Sequence, residues 1–390
     1  MLHRPVRAWR LTVPARSAIL FCSLLASPLA AQDYVIIDIG AMTGAGSSMG
    51  TAINSEGVVV GAYWDSDIKS AQGFIYNSRV DAFQAMEPLA EGDGFVPSDI
   101  NARGLVVGVS QNPSSEVFLY DRGVYTNLVS KERGVSAVVN AINDAGVYVG
   151  SARLPREGRD GKSQTLALRG RIFNPPEMQH DRTEREGSIS TQASLQDVNS
   201  SGVAVGATIT IDFVYPGFIQ QTRAIRSDEG GIQELGSLPG KSYAVAGSIN
   251  DEGKIAGTAF NCASDGFTIT DREAFVLDGA NRYSLGTLPQ TTGSYAFHIA
   301  NKTDAVVGVC ERNSRDGSTT TIPFLYTLQD GMRDLNSLLS PADQQKWKLT
   351  EARSINELGQ IVGTGTFNGD QRAFLLNPIT NVTEWSLLSE

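Results

Sequence analysis

The stretch Ser354-Ile355-Asn356-Glu357-Leu358-Gly359-Gln360-Ile361-Val362-Gly363 returns in altered form along the chain, and this recurrence restricts the fold more than any other feature of the sequence. Copies start at Ile53-Asn54, Ile100-Asn101, Ile142-Asn143, Val198-Asn199, Ile249-Asn250 and Ile355-Asn356. A degenerate copy at Ile299-Ala300-Asn301 makes seven. In each, an Asn stands seven positions before a glycine, as in Asn54 and Gly61 or Asn356 and Gly363, whereas successive Asn residues lie 42 to 56 positions apart. A rigid unit on stretchable connections is the mark of a repeat architecture.

The unit reads as a β-hairpin. Asn at the first position of a four-residue turn can accept hydrogen bonds from its own backbone, and Gly at the fourth takes a positive φ without strain. Short apolar runs flank the turn: Val138-Val139-Asn140-Ala141-Ile142 before one copy, Val58-Val59-Val60 and Leu105-Val106-Val107 after two others. The sixth copy has Asp304 where the others have the turn glycine, and Asp tolerates left-handed geometry better than most residues. One turn type explains all these Asn and Gly residues, so they are not assigned to a ligand. The final glycine of each unit is expected at a close backbone approach or a strand bend.

After each hairpin comes an apolar-aromatic strand, such as Gly73-Phe74-Ile75-Tyr76 or Ala373-Phe374-Leu375-Leu376, weaker at Leu166-Ala167-Leu168 and Arg223-Ala224-Ile225. A turn and a fourth strand, such as Tyr283-Ser284-Leu285-Gly286, complete the period. Four short antiparallel strands per 40 to 50 residues predict an all-β chain, a β-propeller of about seven four-stranded blades, with an open β-solenoid as the alternative. Tyr34-Val35-Ile36-Ile37-Asp38-Ile39-Gly40 resembles a lone fourth strand that could join the last blade and close the ring. Val382-Thr383-Glu384-Trp385-Ser386-Leu387-Leu388 resembles another and is surplus to the count.

Residues 1–31 read as an export signal: Arg4, Arg7, Arg10 and Arg16, an apolar run from Ser17 to Ala26, then the small residues Leu29-Ala30-Ala31. Residues 32–390 form a single repeat domain, with a charged segment at 151–192 expected to be a mobile surface insertion. Without residues 1–31 the chain holds 28 Lys and Arg against 42 Asp and Glu, a balance that disfavours nucleic acid or an anionic membrane as partner. The mature chain is expected to have no transmembrane segment, to be periplasmic or extracellular, and to be monomeric. One helical turn is expected at Ser340-Pro341, a capping residue followed by Pro at the first helical position.

The Ile-Asn-x-x-Gly-x-Val-Val-Gly unit, Ala373-Phe374-Leu375-Leu376, Leu285-Gly286-Thr287-Leu288, and Asp334-Leu335-Asn336-Ser337-Leu338-Leu339 leading through Trp347 to Asn356 together resemble the extracellular HAF-repeat family. The likeness covers nearly the whole mature chain and is weakest between 151 and 195. It implies an exported repeat protein of unassigned activity and brings no catalytic residues.

Known site chemistries fit poorly. Gly236-Ser237-Leu238-Pro239-Gly240-Lys241-Ser242 is one residue short of a phosphate loop, and Gly44-Ala45-Gly46-Ser47-Ser48-Met49-Gly50 fails the dinucleotide spacing and reads as a linker. Beyond residue 31 the only histidines are His180 and His298; no metal-ligand cluster forms in the sequence, so no metal and no cofactor is expected. His298, just before the sixth turn, reads as a packed or capping residue. No Gly-x-Ser-x-Gly elbow is present. Asp99 and Asp197 precede Ile100-Asn101 and Val198-Asn199, so a propeller would project both toward a central funnel, as glycoside chemistry needs. Ala52, Ala141, Ser248 and Ser354 occupy the same place in other copies, which favours backbone capping by the two aspartates over catalysis. Cys262 and Cys310, in consecutive copies, are a candidate disulfide. The sequence thus points to a binding or interaction module for a glycan, protein or envelope component, with a propeller glycoside hydrolase or lyase, or a purely structural surface protein, as alternatives.

Overall fold

The computed structural model describes residues 33–64, 70–87, 94–110, 116–129, 135–154, 165–172, 177–179, 188–214, 217–263, 265, 268–314 and 316–379. Residues 1–31, read above as an export signal, His180, and the segment 382–388 read as a surplus strand lie outside them.

Strand β1 (Tyr34–Asp38) leads through the short helix α1 (Ile39–Thr43) into blade one: β2 (Ser47–Ile53), β3 (Val58–Trp64), β4 (Gln72–Asn77) and β5 (Ala82–Ala85). Blade two is β6 (Phe95–Ile100), β7 (Val106–Ser110), β8 (Val117–Asp121) and β9 (Val124–Asn127). Blade three is β10 (Ser136–Ile142), β11 (Val147–Arg153), β12 (Thr165–Arg171) and β13 (Glu177–Gln179). Blade four is built from longer strands, β14 (Ser188–Val198), β15 (Ala204–Val214), β16 (Gly217–Asp228) and the short β17 (Gly231–Glu234). Blade five is β18 (Tyr243–Ile249), β19 (Ile255–Cys262), β20 (Ile269–Asp278) and β21 (Asn281–Gly286). Blade six is β22 (Gly293–Ile299), β23 (Val306–Asn313), β24 (Thr319–Thr327) and β25 (Gly331–Asp334). A 3-10 turn at Leu335–Leu338 and the one-turn helix α2 (Pro341–Gln344), capped by Ser340, lead to β26 (Trp347–Ile355), β27 (Ile361–Phe367) and β28 (Asp370–Pro378).

Each blade is an antiparallel meander, and the last is completed by the first strand: β1 pairs with β28, Tyr34 opposite Pro378 and Asp38 opposite Phe374. Blades three and four touch through one parallel bridge, Thr165 to Gln192. Asn356 of the last blade donates through Nδ2 to Asn54 O of the first at 3.0 Å, so the blades form a closed ring and the solenoid alternative is excluded. The interval 151–192 is not one loop: it contains the rest of β11, β12 with Leu166, Ala167 and Leu168 buried, β13 and the start of β14. Apolar runs there belong to the blade. Gly44 to Gly50 is likewise no plain linker, since its second half opens β2.

The core is divided among the seams between blades. Ile39, Val59 and Phe74 pack with Val362 and Leu375 between blades one and seven; Ala52, Val60 and Met86 pack with Phe95, Val106 and Phe118 between one and two; five further clusters fill the remaining seams. Each blade is therefore covered on both faces, which is why its strands read as continuous apolar runs.

The hairpin glycines explain the tight spacing. Opposite each final glycine the inner strand bulges, and a Cβ on Gly150 would lie 1.9 Å from Val138 O, on Gly308 1.9 Å from Tyr295 O, and on Gly257 2.3 Å from Val245 O. The same glycine faces a third-strand side chain: Phe74, Phe118, Phe275, Phe324 and Phe374 stand opposite Gly61, Gly108, Gly257, Gly308 and Gly363, with a ring atom within 3 Å of where a Cβ would be. In blades three and four Leu168 and Ile225 take the aromatic place. That substitution is why their third strands are faint in the sequence. In blade three the aromatic has moved, with Tyr148 over Gly170.

Candidate functional site

The inner strands line a central channel, and three positions on each strand build it. At one end stand the repeat turns. Asn54 Oδ1 accepts from the amides of Glu56 and Val58, Gly57 N bonds Asn54 O, and Gly57 has φ of 74°. Each of six Asn residues also reaches across the seam, and in all but Asn250 its Nδ2 donates to the next turn's backbone carbonyl: Asn54 to Asn101 O (2.9 Å), Asn101 to Asn143 O (2.9 Å), Asn143 to Asn199 O (2.8 Å), Asn199 to Asn250 O (3.2 Å) and Asn356 to Asn54 O (3.0 Å). These side chains are buried. An Asp could satisfy the turn but could not donate across the seam, which accounts for Asn in six copies.

The sixth copy departs from the others. Its turn is one residue longer, with Ala300 N bonded to Ala305 O, so Ala300 holds the turn position and Asn301 the next one, where it accepts from Asp251 N as Asp144 and Asp251 accept from Ala102 N and Ser200 N. The seven-residue interval to Gly308 is coincidental in this copy. Asp304 does take the positive φ (55°), and its carboxylate accepts from Asn250 Nδ2 and Lys254 Nζ.

Two residues before the turn position is a ring formed by Ala52, Asp99, Ala141, Asp197, Ser248, His298 and Ser354. Its polar members hold the amide of a neighbouring blade. Asp99 Oδ2 accepts from Ile142 N at 2.8 Å; Asp197 Oδ2 accepts from Ile249 N at 2.9 Å and Ser248 Oγ at 2.6 Å; His298 Nδ1 faces Ile355 N at 3.5 Å. Burial first, then the charge of Asp197, pushes the Asp99 carboxyl up to about 7, against the opposing bond from Ile142 N. Burial lowers the His298 pKa, and the Asp197 charge works against it. With Nδ1 as acceptor, the neutral imidazole carries its proton on Nε2.

The third position is the bulge: Thr51, Ser98, Asn140, Gln196, Gly247, Phe297 and Arg353 are the residues skipped in the seven inner-strand registers. All seven line a chamber of about 740 Å³, together with Val96, Ile209, Gln220, Thr222, Val245, Phe260, Ile269, Arg272 and Tyr295. Arg353 stacks on Phe297 at 4.9 Å and pairs with Glu351 at 2.7 Å; Arg272 lies over Tyr295 at 5.1 Å and pairs with Glu311 at 2.9 Å. Beyond the Asp99–Asp197–His298 ring a smaller polar vestibule of about 170 Å³ opens between the turns, walled by Asp144, Asp251 and Glu357 among others. The ring is shared by both cavities and divides them.

The fold thus brings Asp99, Asp197 and His298 into one channel and uses all three as acceptors for backbone amides. Among the described residues no group of three His, Cys, Asp or Glu is placed to hold a metal ion. Cys262 and Cys310 are two free thiols: Cys310 is buried against Met332 Sδ (3.5 Å), and burial raises both thiols. Lys241 of the phosphate-loop lookalike is paired with Asp271 and Glu273. Sequence reasoning missed the bulge ring. Its members have nothing in common but position, and only the strand register shows the skipped residue.

Over residues 242–383 the chain matches the profile of a protein family of unknown function, DUF3466. No curated protein matches it. Among solved structures it is similar to the β-propeller domain of the Trilobed protease from Pyrococcus furiosus (10% identity over 86% of this chain and 98% of that one, TM-score 0.52). It is also similar to the oligogalacturonate lyase from Vibrio parahaemolyticus (10%, 88% and 97%, TM-score 0.55). A prolyl endopeptidase is similar over 89% of this chain but 47% of its own (10% identity, TM-score 0.53). The protease domain is described as an open velcro propeller, whereas here β1 closes the last blade. At such identity the likeness speaks for the fold alone, and it agrees with the strand order: the chain is a β-propeller.

Proposed function

We propose that this protein is an exported binding module whose ligand, a saccharide of oligomer size, enters the channel and is held in the larger chamber. The bulge ring carries this reading. Seven structurally equivalent positions hold seven different residue types, and every one faces the cavity. Hydroxyls and amides at Thr51, Ser98, Asn140, Gln196, Gln220 and Thr222 suit sugar hydroxyls, and Val96, Val245, Phe260 and Phe297 suit the C–H faces between them. The volume falls within the ~300–1,000 Å³ of small-ligand sites, and a cavity walled by seven blades admits a short chain but no folded partner. Export rests on the basic and apolar character of residues 1–31, and the HAF-repeat resemblance agrees with it. No helix among the described residues is long and apolar enough to cross a membrane.

Glycan-array screening of the purified protein, followed by calorimetry on the hits, tests the reading. The expected result is a saccharide whose affinity falls in Gln196→Ala while the melting temperature holds. No saccharide binding on the array would overturn it. A second reading, saccharide cleavage, is favoured by one observation: a carboxyl pushed up to about 7 beside a second carboxylate suits a general acid. Incubation with array hits and analysis for new reducing or unsaturated ends, in wild type and Asp99→Asn, decides it; intact substrate rules it out.

A further inference from the structure

The charges around the chamber are unevenly compensated. On the wall, the guanidiniums of Arg353 and Arg272 each have a carboxylate partner, Glu351 and Glu311, and a ring beneath them. On the floor, Asp99 and Asp197 have backbone amides and one hydroxyl as partners, and no Lys or Arg reaches either among the described residues. Beyond the floor, the vestibule adds Asp144, Asp251 and Glu357, of which Glu357 is paired with Lys302. Clefts lined by one sign of charge between low-dielectric walls focus the potential. The field at the bottom of the chamber therefore favours a cation and opposes an anion. A guest lying against Phe260, Val245 and Ile269 must accept that field at its inner end.

From this we infer that the chamber selects a saccharide bearing free amino groups, with one ammonium seated between Asp99 and Asp197 and the sugar rings against the apolar wall. The inference rests on the saccharide reading above. Both aspartates line the channel, and an ammonium supplies three donors to the Asp197 carboxylate and to Asp99, whose ionised form the cation itself would favour; charge-assisted bonds of this kind are the stronger class. A uronic acid or a phosphorylated sugar would bring its anion to the wrong end, and the wall arginines are already neutralised. His298, neutral on the same ring, does not compete for the seat.

Calorimetry near neutral pH with three probes of equal length tests this: a glucosamine tetramer, its fully N-acetylated counterpart and a galacturonate tetramer. The amino tetramer should bind at least about tenfold more tightly than the acetylated one, and the galacturonate should not bind. Asp197→Asn keeps an acceptor for Ile249 N and should bring the amino and acetylated probes to similar affinity. Should that variant misfold, the salt dependence of wild-type binding serves instead: affinity for the amino tetramer should fall with added salt and that for the acetylated one should not. Equal or tighter binding of the acetylated or galacturonate tetramer overturns the amino-sugar inference and leaves the saccharide reading standing. If none of the three binds and the array is also blank, both fall.

Discussion

The turn ring and the bulge ring lie three residues apart on the same seven strands, yet they are built on opposite rules. At the turn, six copies keep Asn and the seventh changes the length of the turn to do without it. At the bulge, Thr51, Ser98, Asn140, Gln196, Gly247, Phe297 and Arg353 share a backbone geometry and no chemistry. The turn Asn satisfies its own hairpin and donates to its neighbour, so two blades depend on each copy. The bulge side chains line a cavity and share no such bond around the ring, although Asn140 Nδ2 donates to Leu195 O of the next blade at 2.7 Å. Where repeats agree the ring is being held together, and where they differ at one geometry the residues are free to meet a ligand.

The largest test of this contrast is Gly257→Ala. Its Cβ would meet Val245 O at 2.3 Å and the Phe275 ring at 2.6 Å, and a loss of ~3–5 kcal/mol is expected in chemical denaturation. Gly253→Val should cost less, ~1–3 kcal/mol, since φ is 83° there but nothing lies within 4 Å of the new Cβ. Equal losses at the two sites would break the assignment of Gly257 to a close approach.

Next comes Asn143→Ala, which removes two or more hydrogen bonds from a buried side chain and leaves Asn199 O without its donor; ~2–3 kcal/mol is expected. Asn143→Asp keeps the turn acceptor but puts a carboxylate against that carbonyl. If it melts like wild type, the donation across the seam is unimportant and the turn alone explains the residue.

A smaller effect is expected at Asp99, through pH. Its folded pKa, about 7, is raised above the unfolded value. The protonated form is therefore favoured by folding, so the stability that it adds is complete below about pH 4 and is lost as pH rises through about 7. Asp99→Asn has no proton to lose. Thermal melts from pH 8 down to pH 5 should show wild type gaining on the variant, and a constant gap would remove Asp99 from the channel's electrostatics. His298 acts oppositely: its lowered pKa leaves stability present above the unfolded value and lost as pH falls through the folded one. The same melts of Asp99→Asn isolate that loss.

At the small end, Ser98→Ala at the bulge should change stability by no more than ~0.5 kcal/mol. A large loss would mean that the bulge ring supports the fold after all.

Much of this architecture could be read from the chain. The hairpins, the fourth strand supplied by Tyr34–Asp38 and the capped turn at Ser340 follow from local chemistry, because turn residues and short apolar runs act over a few positions. The placing of Asp99 and Asp197 in one funnel was also legible, as a consequence of repeat equivalence. Their capping of Ile142 and Ile249 across the seams was only half legible, since the partner lies 43 and 52 residues away. The candidate bridge between Cys262 and Cys310 failed because proximity in the repeat says nothing of side-chain direction, and Cys310 turns inward to Met332. The sixth copy misled for a similar reason: an interval of seven survived an insertion that shifted the turn.

What the sequence determined alone was the unit, an Asn-Gly hairpin present six times and once in altered form, because the constraint on each turn is local and steric. Whether those units would stack in a line or close on themselves was decided by tertiary structure, in the pairing of β1 with β28 and of Asn356 with Asn54. The chamber belongs to that closure as well, since residues scattered from Thr51 to Arg353 face one another only when the last blade meets the first.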